Sequence, residues 1–171
     1  MSTVTANATA EQLIDQLALE AHVEGGYFRR TYEAESDAHG RCPGTSIYYL
    51  LSTQSPTGHL HCNKSDIIHY YHAGAPIRYT LVDPQGELRH VIMGNRVERG
   101  ELPQLMVSGG TWKASELIVD SDQSYDFGLI SEAVIPGFNY SDMQLATRQD
   151  LEQRWPQHLE QLKHLIKTDS R

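Results

Sequence analysis

Short apolar runs separated by turn residues occupy most of the chain. The runs are rich in β-branched and aromatic residues, which favour strands, and the segments between them are rich in glycine, proline, aspartate and asparagine, which favour turns. This pattern predicts an all-β sandwich or barrel. The predicted strands are YFRRTYEA, SIYYLL, HYYHAG, IRYTLVD, LRHVIMG, LPQLMVS, TWKASELIV and FGLISEAVI. The predicted turns are SPTG, DPQGE, GNRVERGE, SGG, DSDQS and PGF.

A helical period replaces this alternation at both ends. In TAEQLIDQLALEAH, Thr9 and Gln12 have the spacing of a capping box, and an apolar stripe follows them. Near the C-terminus, Thr147 is a candidate N-cap and Pro156 suits a first helical turn. The apolar residues expected to pack these helices are Leu13, Ile14, Leu17, Ala18, Leu151, Trp155, Leu159, Leu162 and Ile166.

The length of 171 residues predicts one domain. A chain of this size buries roughly 70% of its unfolded surface, so a core and an internal pocket are both possible. We see no internal repeat and no linker. We therefore predict a single domain over residues 1–171, with a β core over about 22–145 and a C-terminal helical segment over about 147–167.

The composition narrows the partners and the compartment. The 14 Lys plus Arg stand against 22 Asp plus Glu, and the net charge of −8 argues against nucleic acid or an anionic membrane, which both require basic patches. Cys42 and Cys62 form no disulfide framework or zinc spacing, so we expect free thiols in a reducing compartment. With no leader pattern and no apolar run near ~20 residues, we predict a cytoplasmic protein with a small-molecule ligand.

Residues 59–74, HLHCNKSDIIHYYHAG, concentrate four histidines, an aspartate, a lysine and two tyrosines. Because alternate strand residues share a face, His59 and His61 can present both imidazoles to one space, and His69 shares the parity of Ile67. A metal site, an acid–base site and a hydrogen-bonded cluster of buried imidazoles all fit this pattern. The remaining histidines considered are expected at the surface or an interface: His72, His90, His158 and His164.

Four blocks in a fixed order resemble the single-domain cupins of cupin family 5. They are HVEGGYFRRTY, HLHCNKSDIIHYYHAG, ERGELPQLMVSGGTWKAS and GLISEAVIPGFNYSD. The resemblance extends from about residue 22 to residue 150. It implies an RmlC-like jelly roll, a double-stranded β-helix of two antiparallel sheets whose mouth holds the ligand.

The resemblance also implies a metal motif, of which this sequence retains half. His59 and His61 match the first two ligands, but Ile67 stands at the glutamate position and Lys113 at the last histidine position. Isoleucine cannot ligate, and a protonated lysine repels a dication. We therefore expect no cofactor and keep a divalent metal on His59 and His61 as an alternative. Two residues could complete such a site: Asp66 and His69.

A polar cavity without a metal can still move protons. Histidine has an unperturbed pKa near ~6.5, and burial near Lys113 would favour its neutral, basic form. The predicted catalytic residues are His61, His69, Lys113, Glu132 and Tyr71. The predicted ligand-binding residues are His59, Asp66, Glu24, Tyr27, Gln104 and Tyr140.

The site chemistry resembles that of metal-free cupins of the sugar-epimerase type. This implies an acid–base carbohydrate isomerase, anomerase or epimerase, in which a histidine accepts a proton and a group on the opposite face donates one. Two alternatives stay open: a metal-dependent oxygenase or lyase using His59 and His61, and a non-catalytic binding module. We also expect a homodimer, because jelly rolls expose sheet edges and the YFRRTY strand could pair with a neighbouring protomer.

Overall fold

A computed structural model of the chain describes residues 8–119 and 125–168. Within these residues, strands lie between one N-terminal helix and two short C-terminal helices. The strands are β1 (Glu20–Ala21), β2 (Tyr27–Glu33), β3 (Thr45–Ser52), β4 (Thr57–Asn63), β5 (Asp66–Gly74), β6 (Ile77–Val82), β7 (Leu88–Met93), β8 (Gln104–Val107), β9 (Trp112–Leu117), β10 (Phe127–Ile135) and β11 (Met143–Leu145). The helices are α1 (Ala10–Gln16), α2 (Arg148–Arg154) and α3 (Leu159–Leu162), and 3-10 turns occupy Val97–Arg99, Tyr140–Asp142, Pro156–His158 and Lys163–Leu165.

The strands form two antiparallel sheets. The first sheet has the order β1-β2-β3-β10-β5-β8, and the second has the order β11-β4-β9-β6-β7. From β3 to β6, and again from β8 to β11, each strand lies in the sheet opposite to its predecessor. This alternation is the jelly-roll topology, and it confirms the predicted all-β fold with small helices.

The apolar core lies between the two sheets. Tyr49 and Ile130 of the first sheet pack in one cluster with Tyr79 and Leu81 of the second sheet, and each is almost fully buried. Side chains on the inner faces therefore meet across the molecule. The same interior receives the polar residues described below.

The C-terminal helices cover the outer face of the second sheet. Leu60 of β4 and Trp112 of β9 pack in one cluster with Leu162 and other helix residues. Since neighbouring strand residues point to opposite faces, the residues that follow these two, His61 and Lys113, point into the interior. The helices thus bury the part of the outer face that β4 and β9 form.

The N-terminal helix begins as predicted but ends earlier than predicted. The Thr9 hydroxyl accepts from the amide of Gln12, and the Gln12 side chain accepts from the amide of Thr9, which completes the capping box. The helix stops at Gln16 because Ala18, with a φ of 50°, redirects the chain. Leu19 is then buried against the first sheet, and the next two residues form β1.

The C-terminal segment is divided into short turns of helix. Thr147 is the N-cap of α2, as predicted, and forms a capping box with Asp150. The helix ends before Trp155, and Pro156 occupies the first position of a 3-10 turn. Proline cannot donate the backbone hydrogen bond that would continue α2, so the chain restarts there.

Some sequence features fall outside this agreement. The predicted turn DSDQS, residues 120–124, lies outside the described residues. Strands β1 and β11 contain only two and three residues, which is too short for an alternating pattern to predict them. In the part of the chain that the structure describes, no helix is long and apolar enough to cross a membrane.

Candidate active site

The histidine-rich stretch is divided between the two sheets. β4 belongs to the second sheet and β5 to the first, and only Lys64 and Ser65 separate them. The side-chain oxygen of Asn63 accepts a hydrogen bond of 2.8 Å from the amide of Ser65, which stabilises this tight connection. His61 and His69 consequently reach the interior from opposite sheets.

His61 forms a buried pair with Glu24. The Nδ1 atom of His61 lies 2.7 Å from the carbonyl oxygen of His59, and its Nε2 atom lies 2.9 Å from Oε2 of Glu24. Both ring nitrogens therefore face acceptors. One proton must lie between Nε2 and the carboxylate, either as an imidazolium–carboxylate pair or as a neutral pair with a protonated carboxyl group.

The loop between β1 and β2 brings Glu24 to this position. The carbonyl oxygen of Glu24 accepts from the amide of His59 at 2.6 Å and lies 2.8 Å from Nδ1 of the same residue. Gly25 follows with a φ of 102°, and a Cβ atom there would stand 2.1 Å from the carbonyl oxygen of Thr57. Only glycine permits this close approach, so the HVEGG sequence fixes the loop against β4.

The charges around Glu24 keep it ionised. Burial alone would raise the pKa of Glu24, but the adjacent His61, with a smaller contribution from His22, outweighs burial and lowers this pKa. His22 lies 3.8 Å from Oε2 of Glu24, and its Nδ1 accepts from the amide of Glu24. Burial lowers the pKa of His22, which favours its neutral form.

A second polar group joins three strands. Lys113 of β9 places Nζ 2.6 Å from Nε2 of His69 and 3.5 Å from Oε1 of Glu132. His69 of β5 and Glu132 of β10 are cross-strand neighbours, and Nε2 of His69 lies 3.3 Å from Oε1 of Glu132. The Nδ1 atom of His69 lies 3.1 Å from the carbonyl oxygen of Leu105, so a neutral ring donates there and accepts from Lys113 at Nε2.

The electrostatic consequences agree with this geometry. Burial and the nearby Lys113 ammonium lower the pKa of His69, which favours the neutral imidazole. Burial alone would raise the pKa of Glu132, but Lys113 and His69, with His61, hold this pKa well below its usual value. Glu132 is therefore an ionised carboxylate with a cation beside it, and buried charges in proteins are usually paired in this way.

Glu24, His61 and Glu132 line one pocket that opens to solvent. Its cavity volume is about 30 Å³, which is well below the usual range for small-molecule sites, so most of the room for a ligand lies in the open mouth. Arg30 and Asn63 add two donors to the lining. The other lining residues are His22, Phe28, Ile47, Ile67, Val134 and Phe138.

The structure does not bring every residue of the predicted site to this pocket. His69 and Lys113 contact Glu132 but are not among the residues that line the pocket. Tyr27 packs on the outer face of the first sheet, because it alternates with the inward-facing Phe28. Tyr71 packs against the core, and its hydroxyl donates to the carbonyl oxygen of Gly74. Its hydroxyl is therefore engaged within its own strand.

Four further predicted residues are not part of the pocket lining. His59 turns its ring to the backbone of Glu24, as described above. Asp66 is exposed and accepts from the amide of Gly109 at 2.8 Å, where it fastens a turn. Gln104 is exposed on the edge strand β8, and Tyr140 is 57% exposed with its ring edge against Phe138.

The donors present do not fit a divalent cation. His61 directs both ring nitrogens at other acceptors, and Lys113 places an ammonium group where the family motif has its last histidine. Ile67 supplies no donor at the glutamate position. No three His, Cys, Asp or Glu residues of the described chain are grouped so that they could hold a metal. We assign no step to a metal.

Sequence reasoning missed three polar residues of the pocket. His22 stands two positions before Glu24, so its parity in HVEGG was a usable signal. Arg30 alternates with Phe28 in YFRRTY, and this parity was also visible. Asn63 follows His59 and His61 at the same spacing, so its place on the same face of β4 was also visible in the sequence.

Two antiparallel sheets enclosing a pocket of ionisable side chains define the class of the protein as a cupin jelly roll. The chain belongs to the family described as Cupin superfamily (DUF985), which matches residues 11–146. This match confirms the family that the four sequence blocks indicated.

Several relatives resemble the chain over most of its length. An uncharacterized protein of Saccharomyces cerevisiae is 35% identical over 174 residues, which cover 93% of this chain and 81% of that protein. A hypothetical protein from Leishmania major has a TM-score of 0.85 and 36% identity, and it covers 94% of this chain and 100% of its own. A Shewanella oneidensis protein has a TM-score of 0.86 and 32% identity, and the match covers 95% of this chain and 100% of that protein.

A more distant structure shares the fold alone. A variant of the Bacillus subtilis oxalate decarboxylase has a TM-score of 0.54 and 16% identity, and the match covers 85% of this chain but 36% of that chain. This likeness agrees with the jelly-roll topology. Its activity is not carried over to this chain.

Proposed function

We propose that the protein is an acid–base isomerase of a small sugar-like molecule. One observation carries this proposal: the Glu24–His61 pair and the Glu132 carboxylate line the same pocket from different elements of the fold. A proton donor and a proton acceptor on either side of one substrate are what isomerisation requires. A cytoplasmic location, consistent with the free thiols Cys42 and Cys62, is part of the proposal.

The hydrogen-bond geometry supports a division of roles between the two groups. The Glu24–His61 pair holds the shared proton, so it donates a proton to the ring or carbonyl oxygen. Glu132 is ionised, so it accepts a proton from the substrate. This reverses the roles expected from the sequence, where a histidine was the base.

The depressed pKa of Glu132 favours one type of isomerisation. A carboxylate with a low pKa is a weak base, and it suits the removal of a hydroxyl proton better than the removal of a carbon-bound proton. Ring opening of a sugar needs only hydroxyl deprotonation and protonation of the ring oxygen. We therefore place anomerase activity before epimerisation at carbon.

Apolar walls support the same chemistry. Phe28 and Phe138 provide the flat surfaces of the pocket, a role that the sequence prediction gave to tyrosines, and Ile47, Ile67 and Val134 complete the wall. Such walls exclude water, and this strengthens the electrostatic interactions of the two ionised groups with a bound substrate.

NMR exchange measurements on a panel of monosaccharides, sugar acids and sugar phosphates test the proposal. We expect faster interconversion of anomers for at least one member, and a loss of roughly 100-fold in His61→Ala and in Glu132→Gln. Glu98→Gln, at an exposed position, is the matched control. Binding without any acceleration across the panel would instead support a binding module.

A further inference from the structure

We infer that the ligand of this pocket carries an anionic group, a carboxylate or a phosphate, bound by Arg30 and Asn63. The inference names the substrate class of the proposed isomerase and to that extent rests on the proposed function. It is carried by an unpaired buried donor, by the position of one cation, and by the charges on the opposite side of the pocket.

Asn63 supplies the unpaired donor. The residue is 5% exposed, and its side-chain oxygen is already used by the amide of Ser65. Its Nδ2 atom is the one buried side-chain nitrogen or oxygen without a hydrogen-bond partner within the described residues. Buried donors are almost always paired, and Asn63 lines the pocket, so an acceptor atom of a ligand is the partner that the fold leaves room for.

Arg30 supplies the cation. It is the one lysine or arginine among the residues that line the pocket, and its guanidinium carbon lies 6.0 Å from the centre of the Phe138 ring. Its NH1 atom bonds Glu33 at 2.8 Å, but both side chains of this pair are partly exposed, at 36% and 54%. Exposed ion pairs are weak, and a guanidinium group has five donors, so Arg30 can bind a carboxylate or phosphate.

The two carboxylates of the pocket, Glu24 and Glu132, favour one orientation of the ligand. Glu24 and Glu132 accept hydrogen bonds from hydroxyl groups and repel anions. An anionic group is therefore favoured beside Arg30, the one lysine or arginine of the pocket lining. The chemistry of the lining thus selects a molecule with hydroxyl groups at one end and an anion at the other, such as a sugar acid or a sugar phosphate.

Binding measurements with three probes test this selection. Glucuronate, glucose 6-phosphate and glucose are compared by ligand-observed NMR titration, and the first two separate a carboxylate from a phosphate. We expect at least one anionic probe to bind about 10-fold or more tightly than glucose, and Arg30→Gln to remove this preference. Arg29→Gln is the matched control, because Arg29 points to the outer face, 5.8 Å from the ring centre of Tyr48.

Asn63→Asp tests the second donor. The aspartate keeps the acceptor for the amide of Ser65 and replaces the unpaired nitrogen by an oxygen that repels an anion, so we expect about 10-fold weaker binding of the anionic probe. Should this buried variant not fold, Arg30→Gln carries the test, since Arg30 is exposed.

The outcomes separate this inference from the proposed function. Equal binding of all three probes, no binding of any, or equal effects of Arg29→Gln and Arg30→Gln would overturn the inference. An anion preference that depends on Arg30, in a protein that accelerates no interconversion, would uphold it while the isomerase proposal fails. Isomerisation of a neutral sugar at a rate that Arg30→Gln does not change would support the isomerase proposal and overturn the inference of an anionic ligand.

Discussion

Nε2 of His61 lies 2.9 Å from Oε2 of Glu24, although 36 residues lie between these two in the sequence. The other ring nitrogen of His61 is held by the carbonyl oxygen of His59 at 2.7 Å. With both nitrogens facing acceptors, the pair keeps a proton inside the pocket. This stored proton is the basis of the first prediction.

Replacing Glu24 by glutamine should change the protonation of His61. The glutamine amide can donate to Nε2, so the ring no longer needs a proton there, and the pocket loses its acid. We expect the ¹⁵N resonance of Nε2 to move to the value of an unprotonated nitrogen, and any isomerase rate to fall by about 100-fold. An unchanged ¹⁵N spectrum for His61 would contradict the shared-proton arrangement, and the exposed His39 serves as the internal reference.

Replacing Lys113 by methionine should destabilise the fold. The change leaves Glu132 and His69 buried without their cation, and loss of one partner of a buried ion pair typically costs about 3–5 kcal/mol. The double variant Lys113→Met/Glu132→Gln should recover part of this loss, because it removes the unpaired charge. Urea unfolding measures the free energy of unfolding of the single and the double variant.

Lys64→Met is the control for this pair of variants. Lys64 is 76% exposed at its side chain and lies 3.8 Å from Asp142, so its removal should change the free energy of unfolding by no more than about 0.5 kcal/mol. A loss at Lys113 no larger than that at Lys64 would show that Lys113 does not neutralise a buried charge.

Acid should destabilise the protein in two stages. The pKa values of His22 and His69 are lowered, as are those of Glu24 and Glu132, so the unfolded chain binds more protons than the folded chain as the pH falls. The stability that each group contributes is present above its unfolded pKa and is lost as the pH falls through the folded pKa. Loss should begin below about pH 6.5 with the histidines and steepen below about pH 4.3 with the carboxylates.

Urea midpoints between about pH 7 and pH 3 measure this dependence. Glu132→Gln should flatten the lower stage, because the variant has no carboxylate to protonate at that position. Glu98→Gln, at an exposed position, should leave the profile unchanged. A midpoint that stays constant from pH 7 to pH 4 would contradict the burial of these groups in their assigned forms.

Chelation should leave any isomerase activity intact. Lys113 and Ile67 occupy two of the four family ligand positions, and a remaining histidine pair binds a divalent ion weakly. Protein treated with EDTA should retain its full rate in the NMR exchange measurement. Activity that is abolished by EDTA and restored by iron, zinc or manganese would overturn the metal-free mechanism.

The chain should form a homodimer through the edge of the first sheet. β1 pairs with β2 only at Tyr27 and Phe28, so the outer edge of β2 from Arg29 to Glu33 has no strand partner in the described part of the chain. Pairing with a second copy would cover this edge. Light scattering should give about twice 19.3 kDa, and Tyr32→Lys should lower this mass, whereas a wild-type mass near one chain would count against the dimer.

Local sequence determined the elements of the fold and their faces. Thr9 and Thr147 place the helix starts because each hydroxyl accepts from a backbone amide three residues later, an interaction that needs no distant partner. Alternation along the strands placed His61, His69 and Lys113 in the interior for the same reason, since side-chain direction in a strand depends only on the neighbouring positions. The four sequence blocks indicated the cupin family to which the chain belongs.

Tertiary structure alone decided how these faces meet. The alternation of Tyr27 and Phe28 is visible in the sequence, but which of them faces the pocket depends on the sheet that covers it. The contact between Glu24 and His61 requires a loop to dock on β4, and the unpaired Nδ2 of Asn63 follows from the turn that consumes its oxygen. These relationships are set by packing between segments distant in the chain, and no short-range pattern encodes such distances.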